Sequence, residues 1–118
     1  MKKILYINTC IRPDSRTNQL AEKLLSLLDG KITQIHTDNC GIAPLTLSAL
    51  KKREKLIADG NFSAPEFENA RLFADADIVV IAAPYWDMSF PSALKVYFEN
   101  ITIRGLTFGY TDEGIPKV

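Results

Sequence analysis

Two stretches of this chain hold residue types and spacings that could do chemistry. The first, residues 9–17, offers hydroxyls at Thr9, Ser15 and Thr17 and positive charge at Arg12 and Arg16, with Asn18 directly after it. Hydroxyls, guanidinium groups and the free backbone N–H groups of a helix start can hold an anion, a phosphate above all, without a glycine-rich motif. The same residues suit a plain N-cap, with Ser15 or Thr17 closing the helix and solvated arginines beside it. The stretch is neither a GxxxxGK[ST] phosphate loop nor a GxGxxG dinucleotide fingerprint. The second stretch runs Pro84, Tyr85, Trp86, Asp87, Met88, Ser89, Phe90. Its aromatics and methionine form a dense apolar surface beside N–H groups freed at a strand end, which suits a planar heterocycle. They could equally plug the end of a sheet or pack against another subunit.

Other reactive residues stand alone. His36, the single histidine, has no Cys or carboxylate at ligand spacing and reads as a surface or fold-supporting residue. Cys10 lacks a partner histidine, Ser15 lacks a nucleophile elbow, and Cys10 and Cys40 make neither a CxxC pair nor a metal cluster. Asp75 and Asp77 read as solvated or capping groups at the far end of the third strand. The sequence therefore assigns no catalytic side chain and no metal. Hard chemistry would fall to a cofactor, with the protein supplying shape and electrostatics. A flavin suits both stretches together: its phosphate at the first, its isoalloxazine ring at the second.

The elements that must position these loops follow from periodicity. Residues 2–8 read as a strand centred on Ile4-Leu5-Tyr6-Ile7, and residues 18–28 as a helix with Leu20, Leu24, Leu27 and Leu28 on one face. Ala21 and Leu25 widen that stripe, and Asp29-Gly30 stops it. Residues 31–36 alternate and predict a short edge strand. A linker, 38–44, leads to a charged helix over 47–58, introduced by Thr46 or Ser48, and a second helical piece spans about 65–74. Residues 78–83 are continuously apolar and predict the most buried strand of a parallel sheet. Pro84 ends it, Ser89 is a candidate cap, and a helix follows from Pro91 to Glu99-Asn100. Residues 101–110 read as loop with room for a short hairpin, and the tail 111–118 as free of any element.

This order predicts an α/β, doubly wound parallel sheet, with ligands at the carboxyl ends of its strands. At 118 residues the chain has room for one domain. Three strands fall short of the about five usual in such open sheets. Residues 1–118 accordingly read as a single partial domain, truncated after the third βα unit, with a hydrophobic edge left open. Lys plus Arg and Asp plus Glu both number 14, so no net charge favours nucleic acid. No apolar run is long enough for a membrane span or a secretory leader, and two unclustered cysteines fit a reducing compartment, so a cytoplasmic location is expected.

Three segments together carry a resemblance: KKILYINTCIRPDSRTNQLAEKLL, ADADIVVIAAPYWDMSFPSALKVYFENI and GLTFGYTDEG. They resemble the flavodoxin-like NAD(P)H-dependent oxidoreductases, and look most like the FMN-dependent NADH-azoreductases, which also reduce quinones. The resemblance spans nearly all of this chain and about the first half of a typical member. It implies a flavodoxin-like fold with FMN held non-covalently. Thr9, Ser15 and Thr17, with Arg16 beside them, match the family's phosphate loop. Pro84, Tyr85, Trp86, Asp87 and Met88 match its aromatic loop, and Phe108 and Tyr110 its substrate-pocket hairpin. The resemblance further implies a homodimer and ping-pong transfer of electrons from NADH through FMN to a quinone or azo compound. The alternative expectation is a catalytically inactive remnant that binds a phosphate compound or serves as a structural piece.

Overall fold

A computed structural model describes residues 1–117. Its centre is β1 (Lys3–Asn8), with β2 (Lys31–His36) on one side and β3 (Ile78–Ala82) on the other, all parallel. Ile7 stands opposite both Ile35 and Ile81, which fixes the register of the three strands. Because β1 is covered on both faces, its alternation splits the core in two. Ile4 and Tyr6 turn to one face, where they pack with Ala21 and Leu25. Leu5 and Ile7 turn to the other, against Phe67, Ala70, Leu94 and Tyr97.

The helices follow from that division. On the first face lies α1 (Arg16–Ser26). On the second lie a 3₁₀ turn (Pro65–Phe67), α3 (Glu68–Asp75) and α4 (Ser92–Ile101), with α2 (Leu47–Ala58) outside them. Helices on both sides of a parallel sheet make the doubly wound arrangement that the pattern predicts. In α4 the buried residues Leu94, Tyr97 and Ile101 recur at helical spacing. Thr46 caps α2 by accepting from the Ala49 N–H at 3.2 Å. At the amino end of the sheet, Asp77 accepts the Lys3 backbone N–H at 2.7 Å and Asp75 pairs with Lys3 Nζ at 2.6 Å. His36 is not isolated, since its Nδ1 lies 2.6 Å from Asp38 Oδ1.

Several expectations are corrected. The most buried strand is β1 rather than β3, which has a single neighbour among the described residues and leaves Ile81 39% exposed. An apolar run shows that a strand can be buried on both faces, but its neighbours decide whether it is. In α1 the core face is Ala21 and Leu25, while Leu20, Leu24 and Leu27 are exposed. The two stripes lie about 100° apart on the helix, and β1 with β3 covers only one of them. Ser89 caps nothing: Pro91 stands at the N-cap of α4, and Ser89 pairs with Trp86. The tail does hold an element. There β4 (Gly109–Tyr110) pairs antiparallel with β5 (Pro116–Lys117), placing the hairpin later than the sequence predicts. Val118 of that tail lies outside the described residues.

Candidate cofactor cleft

The β1–α1 loop is shaped from its ends inward. Ser15 takes the N-cap position of α1, its Oγ accepting the Asn18 N–H at 3.2 Å, while its own N–H donates to the Arg12 carbonyl at 3.2 Å. With those groups committed, the first helical N–H groups, at Arg16 and Thr17, have no intrahelical partner. The capping role and the open helix start therefore coexist at one place.

The β3–α4 loop meets it there. Beyond Pro84, the backbones of Trp86 and Ser89 form two reciprocal hydrogen bonds of 2.7 and 2.8 Å. Between them Asp87 and Met88 both have positive φ, 47° and 63°. Such a turn costs little at asparagine, aspartate or glycine and more at methionine. Tyr85, Met88 and Phe90 are exposed around it.

A cleft of ≈ 520 Å³ joins the two loops at the carboxyl ends of the strands. Arg12, Asp14, Ser15, Arg16 and Thr17 line one wall, and Pro84, Tyr85 and Trp86 the other. Two guanidinium groups, two hydroxyls and free helix N–H groups against one carboxylate favour an anion. The facing tyrosine and tryptophan favour a flat, apolar group. Other concavities lie elsewhere: one around Lys3 and Asp75 at the opposite end of the sheet, one between residues 40–46 and α2, and a shallow one beside α3 at Arg71, Leu72 and Leu106.

The residues singled out from sequence divide accordingly. Ser15, Arg16, Thr17, Pro84, Tyr85 and Trp86 come together on the cleft. Thr9 is buried beneath it, its hydroxyl donating to the Ala82 carbonyl at 2.7 Å, so it joins β1 to β3. Asp87 and Met88 form the tip of the turn rather than the wall. Phe108 and Tyr110 pack edge-to-face, 5.7 Å between ring centroids, and do not line the cleft.

Sequence reasoning missed what lies under the loop. Tyr6 Oη donates to Asn18 Oδ1 at 2.6 Å and Asn8 Nδ2 donates to the same oxygen at 3.1 Å. Asn8 Oδ1 in turn accepts the Cys10 N–H at 2.9 Å. Burial holds the Tyr6 phenol neutral, pushing its pKa up to about 12, with Cys10 and Glu22 adding to the effect. The available signal was positional: Tyr6 and Asn8 share the β1 face that α1 covers, so polar groups there need partners.

Fold and cleft together define a class: a parallel α/β domain with a cleft at the strand ends that has cations and hydroxyls on one wall and aromatic side chains on the other. The chain belongs to the family described as flavodoxin-like fold, whose model matches residues 2–118. It is 35% identical to the FMN-dependent NADH:quinone oxidoreductase 2 of Clostridium acetobutylicum, over 97% of this chain and 60% of that protein. To the FMN-dependent NADH:quinone oxidoreductase of Lachnoclostridium phytofermentans it is 34% identical, over 99% of this chain and 62% of the other. An azoreductase structure from Bacillus anthracis superposes with a TM-score of 0.83 at 21% identity, covering 99% of this chain and 62% of that one. The FMN complex of an FMN-dependent NADH-azoreductase from the same species gives a TM-score of 0.76 at 24% identity, covering 97% and 61%. These structures corroborate the fold. The chain spans about 60% of the length of the curated relatives it matches.

Proposed function

We propose that this chain carries the FMN-binding loops of an NADH-dependent oxidoreductase that reduces quinones or azo compounds. The observation that carries the reading is the single cleft lined by both loops, with cations and hydroxyls on one wall and Tyr85 and Trp86 on the other. Relatives named FMN-dependent NADH:quinone oxidoreductases support the choice of flavin. A bound FMN would supply the redox chemistry, hydride acceptance from NADH and electron delivery to a quinone or azo acceptor in ping-pong order, at a place these residues hold and shape.

The chain's own residues bind and orient. Arg16, Ser15, Thr17 and the N–H groups of the first α1 turn would hold the phosphate. Tyr85 and Trp86 would stack on the ring, with Asp87 and Met88 at its edge, excluding water from one face. The reading extends to a homodimer in which Phe108 and Tyr110 face the substrate, and to the cytoplasm. Unbonded Cys10 and Cys40 suit a reducing compartment. Among the described residues no helix is long and apolar enough to cross a membrane.

A second reading is a flavodoxin-like piece that binds a phosphate compound without catalysis. The edge of β3 favours it, since among the described residues that strand has one neighbour and leaves Ile81 39% exposed. Incubation with FMN followed by gel filtration separates the two. Flavin absorbance in the protein peak, with NADH oxidation on addition of a quinone, is the expected result. A colourless peak overturns the cofactor assignment, and a yellow but inactive one favours the second reading.

A further inference from the structure

We propose that Tyr6 and Asn8 are positioning residues which act through Asn18 to aim the first turn of α1 at the 5′-phosphate of the cofactor. The inference rests on the FMN reading above. Two buried donors, the Tyr6 hydroxyl and the Asn8 amide, converge on one oxygen, Asn18 Oδ1. Both lone pairs of that oxygen are then engaged, which leaves Asn18 Nδ2 directed toward Glu22 Oε1 at 3.4 Å. The other oxygen-bearing end of Asn8 holds the Cys10 N–H, and the Asn18 backbone N–H is held by Ser15. The chain leaving β1 and the chain entering α1 are thereby clasped at the base of one loop. What lies between, residues 11–14, carries Arg12 and Asp14 to the cleft wall.

This clasp acts on direction more than on packing. A phenylalanine at position 6 would fill the same core beside Ala21 and Leu25, so the hydroxyl is there for Asn18. Asn18 is the third residue of α1, and the two residues before it, Arg16 and Thr17, line the cleft and have backbone N–H groups without an intrahelical partner. A phosphate bound by helix N–H groups depends on their direction, because charge-assisted hydrogen bonds are short and angle-sensitive. A stacked ring on the opposite wall does not. Loosening the clasp should therefore weaken a phosphate-bearing flavin and spare one without a phosphate.

The test uses the whole chain, titrated with FMN and separately with riboflavin, alongside thermal unfolding and amide hydrogen exchange. Tyr6→Phe removes one donor. Asn18→Asp still accepts from both donors and so keeps the clasp, and it serves as the charge control. It sets a carboxylate beneath the anion pocket and against Glu22, which shows how large a selective FMN loss charge alone produces. The FMN Kd is expected to rise roughly threefold to tenfold in Tyr6→Phe and by about tenfold or more in Asn18→Asp, while the riboflavin Kd stays within about twofold. Equal weakening of both flavins, or a lowered Tm with an unchanged FMN-to-riboflavin ratio, overturns the proposal and leaves a purely structural role. Wild-type protein that holds neither flavin removes the cofactor reading alone. The clasp is then judged by the Cys10 and Asn18 amides, which must exchange faster in Tyr6→Phe; unaltered exchange overturns it.

Discussion

Trp86 and Ser89 exchange two backbone hydrogen bonds, 2.7 and 2.8 Å long, and so force Asp87 and Met88 into left-handed conformations. Tight two-residue turns of this kind favour asparagine or aspartate first and glycine second. Asp87 fits that preference and Met88 does not. A side chain other than glycine or asparagine there costs on the order of 1–2 kcal/mol. Non-glycine residues held this way often sit at functional sites.

Replacing Met88 with glycine tests whether that strain serves the cleft. Met88→Gly is expected to raise stability by up to about 1 kcal/mol in urea unfolding, the relief being partly offset by glycine's freedom in the unfolded chain. On the proposal that Met88 borders the flavin ring, FMN affinity should fall in the same variant. A less stable Met88→Gly protein would show that the turn carries no strain.

Ser15 and Thr17 should separate capping from phosphate binding. Ser15→Ala removes the oxygen that accepts the Asn18 N–H and is expected to lower stability by about 1 kcal/mol as well as FMN affinity. Thr17→Ala lies past the cap and should lower FMN affinity with Tm nearly unchanged. Retention of FMN by the double variant at wild-type levels would remove the hydroxyls from the phosphate site.

On α1, neighbouring leucines should respond very differently. Leu25 is 6% exposed and packs with Ile4 and Val80, so Leu25→Ala is expected to cost about 2–5 kcal/mol. Leu27 is 77% exposed, and Leu27→Ala should fall within about 0.5 kcal/mol. Chemical denaturation of both variants decides it. A large loss at Leu27 would mean that another surface covers that face in solution.

Alkaline stability should report on Tyr6. Its phenol is held neutral in the folded protein, with a pKa pushed up to about 12 from the ordinary 10.0. The unfolded chain loses this proton first, so the contribution is intact below pH 10 and declines as pH rises toward about 12. Tm measured across that window should fall more steeply in wild type than in Tyr6→Phe. Parallel profiles would show that the buried hydroxyl is not the group responsible.

Much of this protein was legible in the sequence by itself. Strand and helix types follow from local periodicity, and so do the strand-to-helix loops that end at Ser15 and begin at Pro84. The continuous apolar run Ile4-Leu5-Tyr6-Ile7 marks a strand with apolar side chains on both faces, because side chains two apart share a face, without deciding whether both faces are covered. The anion-friendly and ring-friendly loops were visible as residue types.

Only the tertiary structure decided which of two leucine stripes on α1 meets the sheet, and that β1 rather than β3 is the covered strand. Burial depends on neighbours, and neighbours distant in sequence leave no local signal. The same holds for the cleft. Arg16 and Trp86 are far apart in the chain, and the β1–β3 pairing that sets Asn8 opposite Ala82 brings their loops to one end of the sheet. Tyr6, Asn8 and Asn18 each read as ordinary fold residues in isolation. Their convergence on one oxygen exists only once α1 has folded back across β1.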